Sequence, residues 1–234
     1  MNAQIQCLPT ASVFCGVVPC APNTVAGLER WFRAEDLTGT DVSPFTDWID
    51  TAGIQNATQA VGASQPTLYH NGAFPYLRFD GVDDYMDYWE LLNVRTVFAV
   101  VRWWNTATNS ALIFGHEIFP DFHSGHAASG DQGKVLSATL CSQWLRWTDT
   151  LPHSRALLNG VPTAPTTSID KPAAFAVLAF RAVGAVRCQN FANDRAGSLA
   201  PIDLMEAAIY SGGLSNAKMD GVAAWLKNKF VAYV

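Results

Sequence analysis

The segment Thr96–Trp104 reads TVFAVVRWW and carries apolar side chains in both phases of an extended chain. One phase holds the larger set, which comprises Val97, Ala99, Val101 and Trp103. Successive side chains of a strand point to opposite faces of a sheet. A segment that is apolar in both phases therefore predicts a central β-strand that is covered on both sides.

Other short apolar runs are separated by residues typical of turns. A second long run covers residues 173–180, and shorter runs cover 111–115 and 204–210. The Asn159-Gly160 pair follows two leucines, and Asn-Gly between apolar residues is the strongest short signal for a β-hairpin. Pro162 restricts the second hairpin strand to an edge position or a short piece. Short strands at this spacing predict a sandwich or a barrel.

The C-terminal segment changes to a helical period. One helix face collects an apolar stripe, which comprises Met219, Val222, Ala223, Leu226 and Phe230. Spacings of three and four residues place such a stripe on one side of an α-helix. Ser215 is a suitable N-cap residue, because its hydroxyl can accept a free backbone N–H. The pattern predicts one amphipathic helix over residues 215–230 that closes the β-rich domain.

The first 25 residues differ from the rest of the chain. Three prolines interrupt them, which disfavours a helix, and no basic residue precedes the apolar part, which disfavours a secretory signal. We predict an anchoring arm over residues 1–25 and a single domain over residues 26–234. The arm residues expected to contact a neighbour are apolar or carry a thiol: Cys7, Phe14, Cys15, Val17, Val18 and Cys20.

The composition excludes some classes of partner. Only 15% of the residues are charged, and the net charge is −5, so no basic cluster is present to neutralise nucleic-acid phosphates. No apolar run reaches the 18 residues of a membrane-spanning helix, so membrane insertion is not expected. The five cysteines are odd in number, so at least one is unpaired within the chain or pairs between chains. The alternative is that they are small buried apolar residues.

Several motifs resemble a known family when they are taken in order. GLERWFRAED at residues 27–36, LRFDGVDDYM at 77–86 and TVFAVV at 96–101 resemble LamG-like domains of the concanavalin A-like lectin/glucanase superfamily. The resemblance covers residues 27–230, and it implies an all-β, antiparallel jelly-roll β-sandwich with two sheets packed face to face. Residues 116–147 match no part of the family pattern.

The acidic turn that follows Phe79 has two interpretations. Asp80, Asp83 and Asp84 are short acceptors that can bind backbone N–H groups and hold a turn around Gly81. Some relatives bind calcium through aspartates, so the resemblance leaves calcium as an alternative. We otherwise expect no cofactor and no resident metal.

The spacing of the acidic residues disfavours catalysis. Glucanases of this fold carry Glu-x-Asp-x-x-Glu on one strand, and none of the 20 acidic residues follows that spacing. Glu206 stands alone in an apolar strand, where we expect it to cap a loop or to pair with an arginine. The segment HEIFPDFHSGH at residues 116–126 could bind zinc but lacks helical His spacing, so it predicts a polar loop. We therefore predict that the chain is not an enzyme.

The aromatic residues suggest a sugar-binding surface. Eight tryptophans are present, and Trp144 and Trp147 lie in a short strand-like segment beside the unmatched loop. An exposed tryptophan offers a flat apolar face on which a sugar ring can stack. We predict a ligand-binding site formed by Trp144 and Trp147 together with Asp121 and His123.

LamG-like domains also occur in virion decoration and fibre proteins, so the resemblance, together with the apolar arm and the low charge, implies a virion structural, decoration or attachment protein, of the phage type, without enzymatic activity. The expected partners are a capsid or tail protein, further copies of the chain and a cell-surface glycan, and the expected location is the virion surface. The alternative is a secreted bacterial carbohydrate-binding module in the extracellular space. A glycoside hydrolase is the third hypothesis.

Overall fold

The computed structural model describes residues 17–106, 113–116, 134–136, 153–163, 169–193 and 199–233. The strands are β1 (Leu28–Phe32), β2 (Ser43–Pro44), β3 (Asp47–Trp48), β4 (Ala57–Thr58), β5 (Thr67–Asn71), β6 (Phe74–Arg78), β7 (Met86–Trp103), β8 (Phe114–Gly115), β9 (Lys134–Leu136), β10 (His153–Leu158), β11 (Val161–Thr163), β12 (Ile169–Asp170), β13 (Ala176–Phe191) and β14 (Ile202–Tyr210). One α-helix follows, α1 (Asn216–Lys229). All strand pairs among the described residues are antiparallel, which confirms an all-β fold with a C-terminal helix.

The long strands β7 and β13 form the centre of the fold. The largest sheet has the order β11-β10-β13-β7-β14-β6-β5-β2. The second half of β7 pairs with β13 on one side and with β14 on the other, so Thr96 to Trp103 lie inside the sheet. The central strand predicted from this segment is confirmed.

Two apolar clusters cover the two faces of β7. Val97, Ala99, Val101 and Trp103 belong to the larger cluster, which fills the interior of the β-sandwich. Phe98 and Val100 belong to the second cluster, which also contains the helix stripe from Met219 to Phe230. Helix α1 therefore packs on the outer face of a sheet whose inner face lines the main core.

The two local signals from the sequence are confirmed. The Ser215 hydroxyl accepts the backbone N–H of Lys218 at 3.4 Å and caps helix α1. Asn159 and Gly160 both have positive φ angles, 51° and 77°, in the two-residue connection between β10 and β11. Positive φ at both central residues is the requirement of a type I′ hairpin turn.

Residues 17–25 lead into the domain along helix α1. The Cys20 N–H donates to the Gly221 carbonyl at 3.1 Å, and the Tyr210 hydroxyl donates to the Pro22 carbonyl at 3.1 Å. Val17 and Val18 are exposed, and Cys20 is partly buried. The other predicted arm contacts, Cys7, Phe14 and Cys15, lie outside the described residues. The anchoring role of the arm stays a prediction.

No helix in the described part of the chain is long and apolar enough to span a membrane.

Candidate functional site

Strand β7 carries a bulge near its start. Asn190 of β13 pairs with Asp87, and Cys188 pairs with Leu91, so two steps along β13 correspond to four steps along β7. The extra residues of β7 cannot continue the regular ladder and are pushed out of it. Bulges of this kind redirect a side chain, and here the redirected residue is Trp89.

Trp89 adopts a backbone conformation that tryptophan rarely takes. Its φ angle is 66°, in the left-handed region, where a bulky side chain costs about 1–3 kcal/mol. The side chain is 72% exposed, while its neighbour Tyr88 is fully buried in the main core. A strained backbone that presents an apolar ring to water is not explained by packing. It is therefore a candidate for function.

Glu90 lies beside Trp89 and joins three strands. Its Oε1 accepts a hydrogen bond from Nε2 of His116 at 2.9 Å and another from Nη1 of Arg187 at 3.0 Å. His116 follows β8 and is buried, whereas Glu90 and Arg187 reach the surface. The bulge thus places an indole face next to a fixed carboxylate and a guanidinium group. We call Trp89, Glu90, His116 and Arg187 the bulge site.

The bulge site can bind a ring with polar edges. The indole face is electron-rich and apolar, so it attracts a face of C–H groups such as a pyranose presents. The Glu90 carboxylate accepts hydrogen bonds and the Arg187 guanidinium donates them, which suits hydroxyl groups at the edge of the ring.

The site predicted from the sequence lies outside the described residues, as do its four members Asp121, His123, Trp144 and Trp147. That prediction is neither confirmed nor contradicted. Sequence reasoning missed Trp89, although a signal was present in the sequence. Met86 and Tyr88 are apolar and alternate, so Trp89 falls in the opposite phase, which faces away from the core.

The acidic turn after Phe79 is held by its own backbone. Oδ1 of Asp80 accepts the N–H groups of Val82, Asp83 and Asp84, and Oδ2 of Asp84 accepts the N–H of Asp80. Burial raises the pKa of Asp84 to about 7. The three carboxylates approach within 4.8 Å of one another, but calcium needs six to eight oxygen ligands. The hydrogen bonds account for this turn without an ion, and the expectation of no cofactor stays a prediction.

Glu206 pairs with a lysine, so the expected arginine partner or loop cap is wrong. Its Oε1 accepts the indole N–H of Trp31 at 2.8 Å, and its Oε2 accepts from Nζ of Lys229 on helix α1. Lys229 also donates to Glu35 at 2.6 Å. Helix α1 supplies the cation, and the sequence does not reveal that it crosses β14 at this point. Glu206 is 1% exposed and both its oxygens are bonded, so this carboxylate joins the helix to the sheet and is closed to a substrate.

Glu206 makes the stability of the fold depend on pH. Burial raises its pKa from 4.5 to about 7, although the Lys229 ammonium acts in the opposite direction. Between these values the Glu206 side chain holds up to one proton more in the folded state than in the unfolded state, so its contribution to the free energy of unfolding falls as pH rises. We expect Glu206→Gln to flatten the decrease in melting temperature between pH 5 and pH 7.5. A variant that keeps the full slope would contradict this, and Glu29→Gln, at a residue outside this pair, is the control.

The fold and the bulge site together define an antiparallel β-sandwich with an exposed aromatic platform. No protein-family model and no curated protein matches this sequence. Four solved structures match, and all are complexes of the Trypanosoma rangeli sialidase. The complex with 2,3-difluoro-KDN is 13% identical, with a TM-score of 0.45 over 97% of this chain and 36% of the sialidase. The complex with sialic acid is 12% identical, with a TM-score of 0.43 over 93% and 36%.

This comparison corrects one prediction from the sequence. The acidic spacing predicted that the chain is not an enzyme, whereas every matching solved structure is a sialidase, which is a glycoside hydrolase. The exclusion of an enzyme is therefore wrong. The chain spans about a third of the length of the sialidase, and at these identities and TM-scores the likeness assigns no activity or catalytic residue to it.

Proposed function

We propose that this chain is an attachment module of the LamG-like, concanavalin A-like type, which binds glycans through the bulge site. The observation that carries the proposal is the left-handed backbone of Trp89, which holds an indole ring 72% exposed. A glycine at this position would avoid the strain, because it adopts positive φ without a steric cost. A tryptophan here instead of a glycine thus favours a role for its side chain outside the fold.

The neighbouring polar groups support a sugar as the ligand. Glu90 is fixed by His116 and Arg187, so the carboxylate keeps its position without a ligand. A fixed acceptor beside an aromatic face loses little entropy when a ring binds. Glycan sites combine a stacking surface with a small number of oriented polar groups, and the bulge site has both.

The decisive experiment is a glycan array followed by calorimetry on the best ligand, with Trp89→Gly as the variant. We expect the variant to weaken binding roughly 30-fold, because truncating a central tryptophan costs about 2 kcal/mol of binding free energy. We also expect it to raise the free energy of unfolding by about 1 kcal/mol, because glycine relieves the strain. A tryptophan with a structural role would give the opposite change in stability.

Leu92→Ala is the matched control. Leu92 is exposed three residues after Trp89 but offers no ring for stacking, so this variant should bind like the wild type. The proposal fails if the wild-type chain binds no glycan on the array. It also fails if Trp89→Gly binds as tightly as the wild type.

The N-terminal arm and the family resemblance of the sequence are the basis for a proposal about where this module is displayed. We propose that the module is displayed on a virion or on another surface, together with a capsid, tail or surface partner and further copies of the chain. A secreted carbohydrate-binding module is the alternative location for the same binding function. Cross-linking through Cys20, followed by identification of the attached chain, distinguishes an assembly from a free module.

A further inference from the structure

Two arginines flank one buried aspartate on the sheet face that carries helix α1. In the register of the sheet, Asp203 of β14 lies opposite Arg78 of β6 and opposite Arg102 of β7. The Asp203 carboxylate accepts Nε and Nη2 of Arg78 at 2.7 and 2.9 Å, and Nε of Arg102 at 2.7 Å. Asp203 is fully buried, so it holds both partly exposed guanidinium groups from the interior side of the cluster.

The cluster keeps a net positive charge and unused donors. Two guanidinium groups and one carboxylate carry formal charges that sum to +1. Within the part of the chain that the structure describes, Nη1 of Arg78 and Nη1 of Arg102 have no protein acceptor. Neither atom is buried, and the two side chains are 30% and 25% exposed. Their free N–H groups are therefore available to a ligand.

Aromatic rings hold the two guanidinium groups in place. The Arg78 guanidinium lies 4.7 Å from the ring centre of Tyr69 and 5.7 Å from that of Trp104. The Arg102 guanidinium lies 4.6 Å from the ring centre of Phe175. The rings exclude water from the guanidinium faces, and the carboxylate sets their orientation, so the free edges are oriented before any ligand arrives.

We propose that the Arg78–Arg102 pair binds an oxyanion, a carboxylate or sulfate group, on a ligand whose body contacts Trp104. Guanidinium edges match the oxygen spacing of these groups and form charge-assisted hydrogen bonds with them. Trp104 is 44% exposed beside Arg78 and offers an apolar face for the remainder of the ligand. The net charge of the whole chain is −5, which repels anions, so an anion is attracted by the local charge of the two arginines and not by the overall electrostatic field of the protein.

The test is an NMR titration of the labelled chain with three probes: galacturonate, inorganic sulfate and neutral galactose. The Trp104 indole N–H signal, assigned by its loss in Trp104→Phe, should shift with galacturonate or sulfate and stay in place with galactose. The anion that binds more tightly identifies carboxylate or sulfate as the preferred group.

Arg102→Gln should weaken anion binding at least tenfold, because it removes the net charge and leaves Arg78 paired with Asp203. Lys227→Gln removes one exposed charge elsewhere and should have no effect.

Three results would overturn the proposal. Galactose could shift the Trp104 signal as strongly as galacturonate, anion binding could survive in Arg102→Gln, or neither anion could move the Trp104 signal. If Arg102→Gln does not fold, Arg102→Lys keeps the charge but lacks the planar edge, and it should also bind anions more weakly. Trp89→Gly should bind both anions like the wild type, so the anion-binding proposal and the glycan-binding proposal for the bulge site are tested independently of each other.

Discussion

Replacement of Phe191 by alanine should lower the free energy of unfolding by about 4 kcal/mol, the cost typical of removing a buried phenylalanine. Phe191 is fully buried at the end of β13. Its ring centre lies 4.7 Å from that of Tyr88, 5.2 Å from that of Phe32 and 5.8 Å from that of Trp48. The surrounding rings come from separate strands and cannot collapse together into the space, so the variant leaves a cavity.

Chemical denaturation of Phe191→Ala measures this loss, and Phe191→Leu should lose less because it fills part of the cavity. Val183→Ala is the control on the same strand, since Val183 is exposed and should cost under about 0.5 kcal/mol. A loss below about 1.5 kcal/mol for Phe191→Ala would show that these rings do not form a close-packed core.

The sequence predicted those parts of the fold that local chemistry determines. The apolar pattern of Thr96–Trp104 identified the central strand, Asn159-Gly160 identified the hairpin, and Ser215 identified the helix start. The true start of β7 lies ten residues earlier, at Met86. It was missed because the bulge interrupts the alternation on which the prediction depends, and the bulge is set by pairing with β13 about 100 residues later in the chain.

The two sites differ in how far the sequence could reach them. The exposure of Trp89 could be predicted from the sequence, because it lies in the opposite phase to Met86 and Tyr88. Its left-handed φ could not, because that conformation depends on the bulge. Arg78 and Asp203 are separated by 125 residues, and only the strand order brings them together. No local pattern records strand order. The cluster could therefore be recognised only once the sheet was known.

Replacement of Asp203 by alanine should lower the free energy of unfolding by about 3 kcal/mol. The variant leaves two neighbouring positive charges on the sheet face and removes the acceptor of three hydrogen bonds. The loss lies at the lower end of the range for broken buried ion pairs, because the guanidinium groups can still reach water. Denaturant unfolding measures it, and Arg102→Gln should cost less, since Arg78 and Asp203 then remain paired.

The Asp203→Ala variant also separates two roles of the carboxylate. If Asp203 serves to hold the two guanidinium groups together, adding Arg102→Gln to Asp203→Ala should recover part of the loss, because the repulsion disappears. Sulfate should raise the melting temperature of Asp203→Ala more than that of the wild type, since an anion that binds the folded state stabilises it. Chloride at matched ionic strength is the control for screening. Equal effects of sulfate on both chains, together with additive losses in the double variant, would mean that the two arginines act independently of each other.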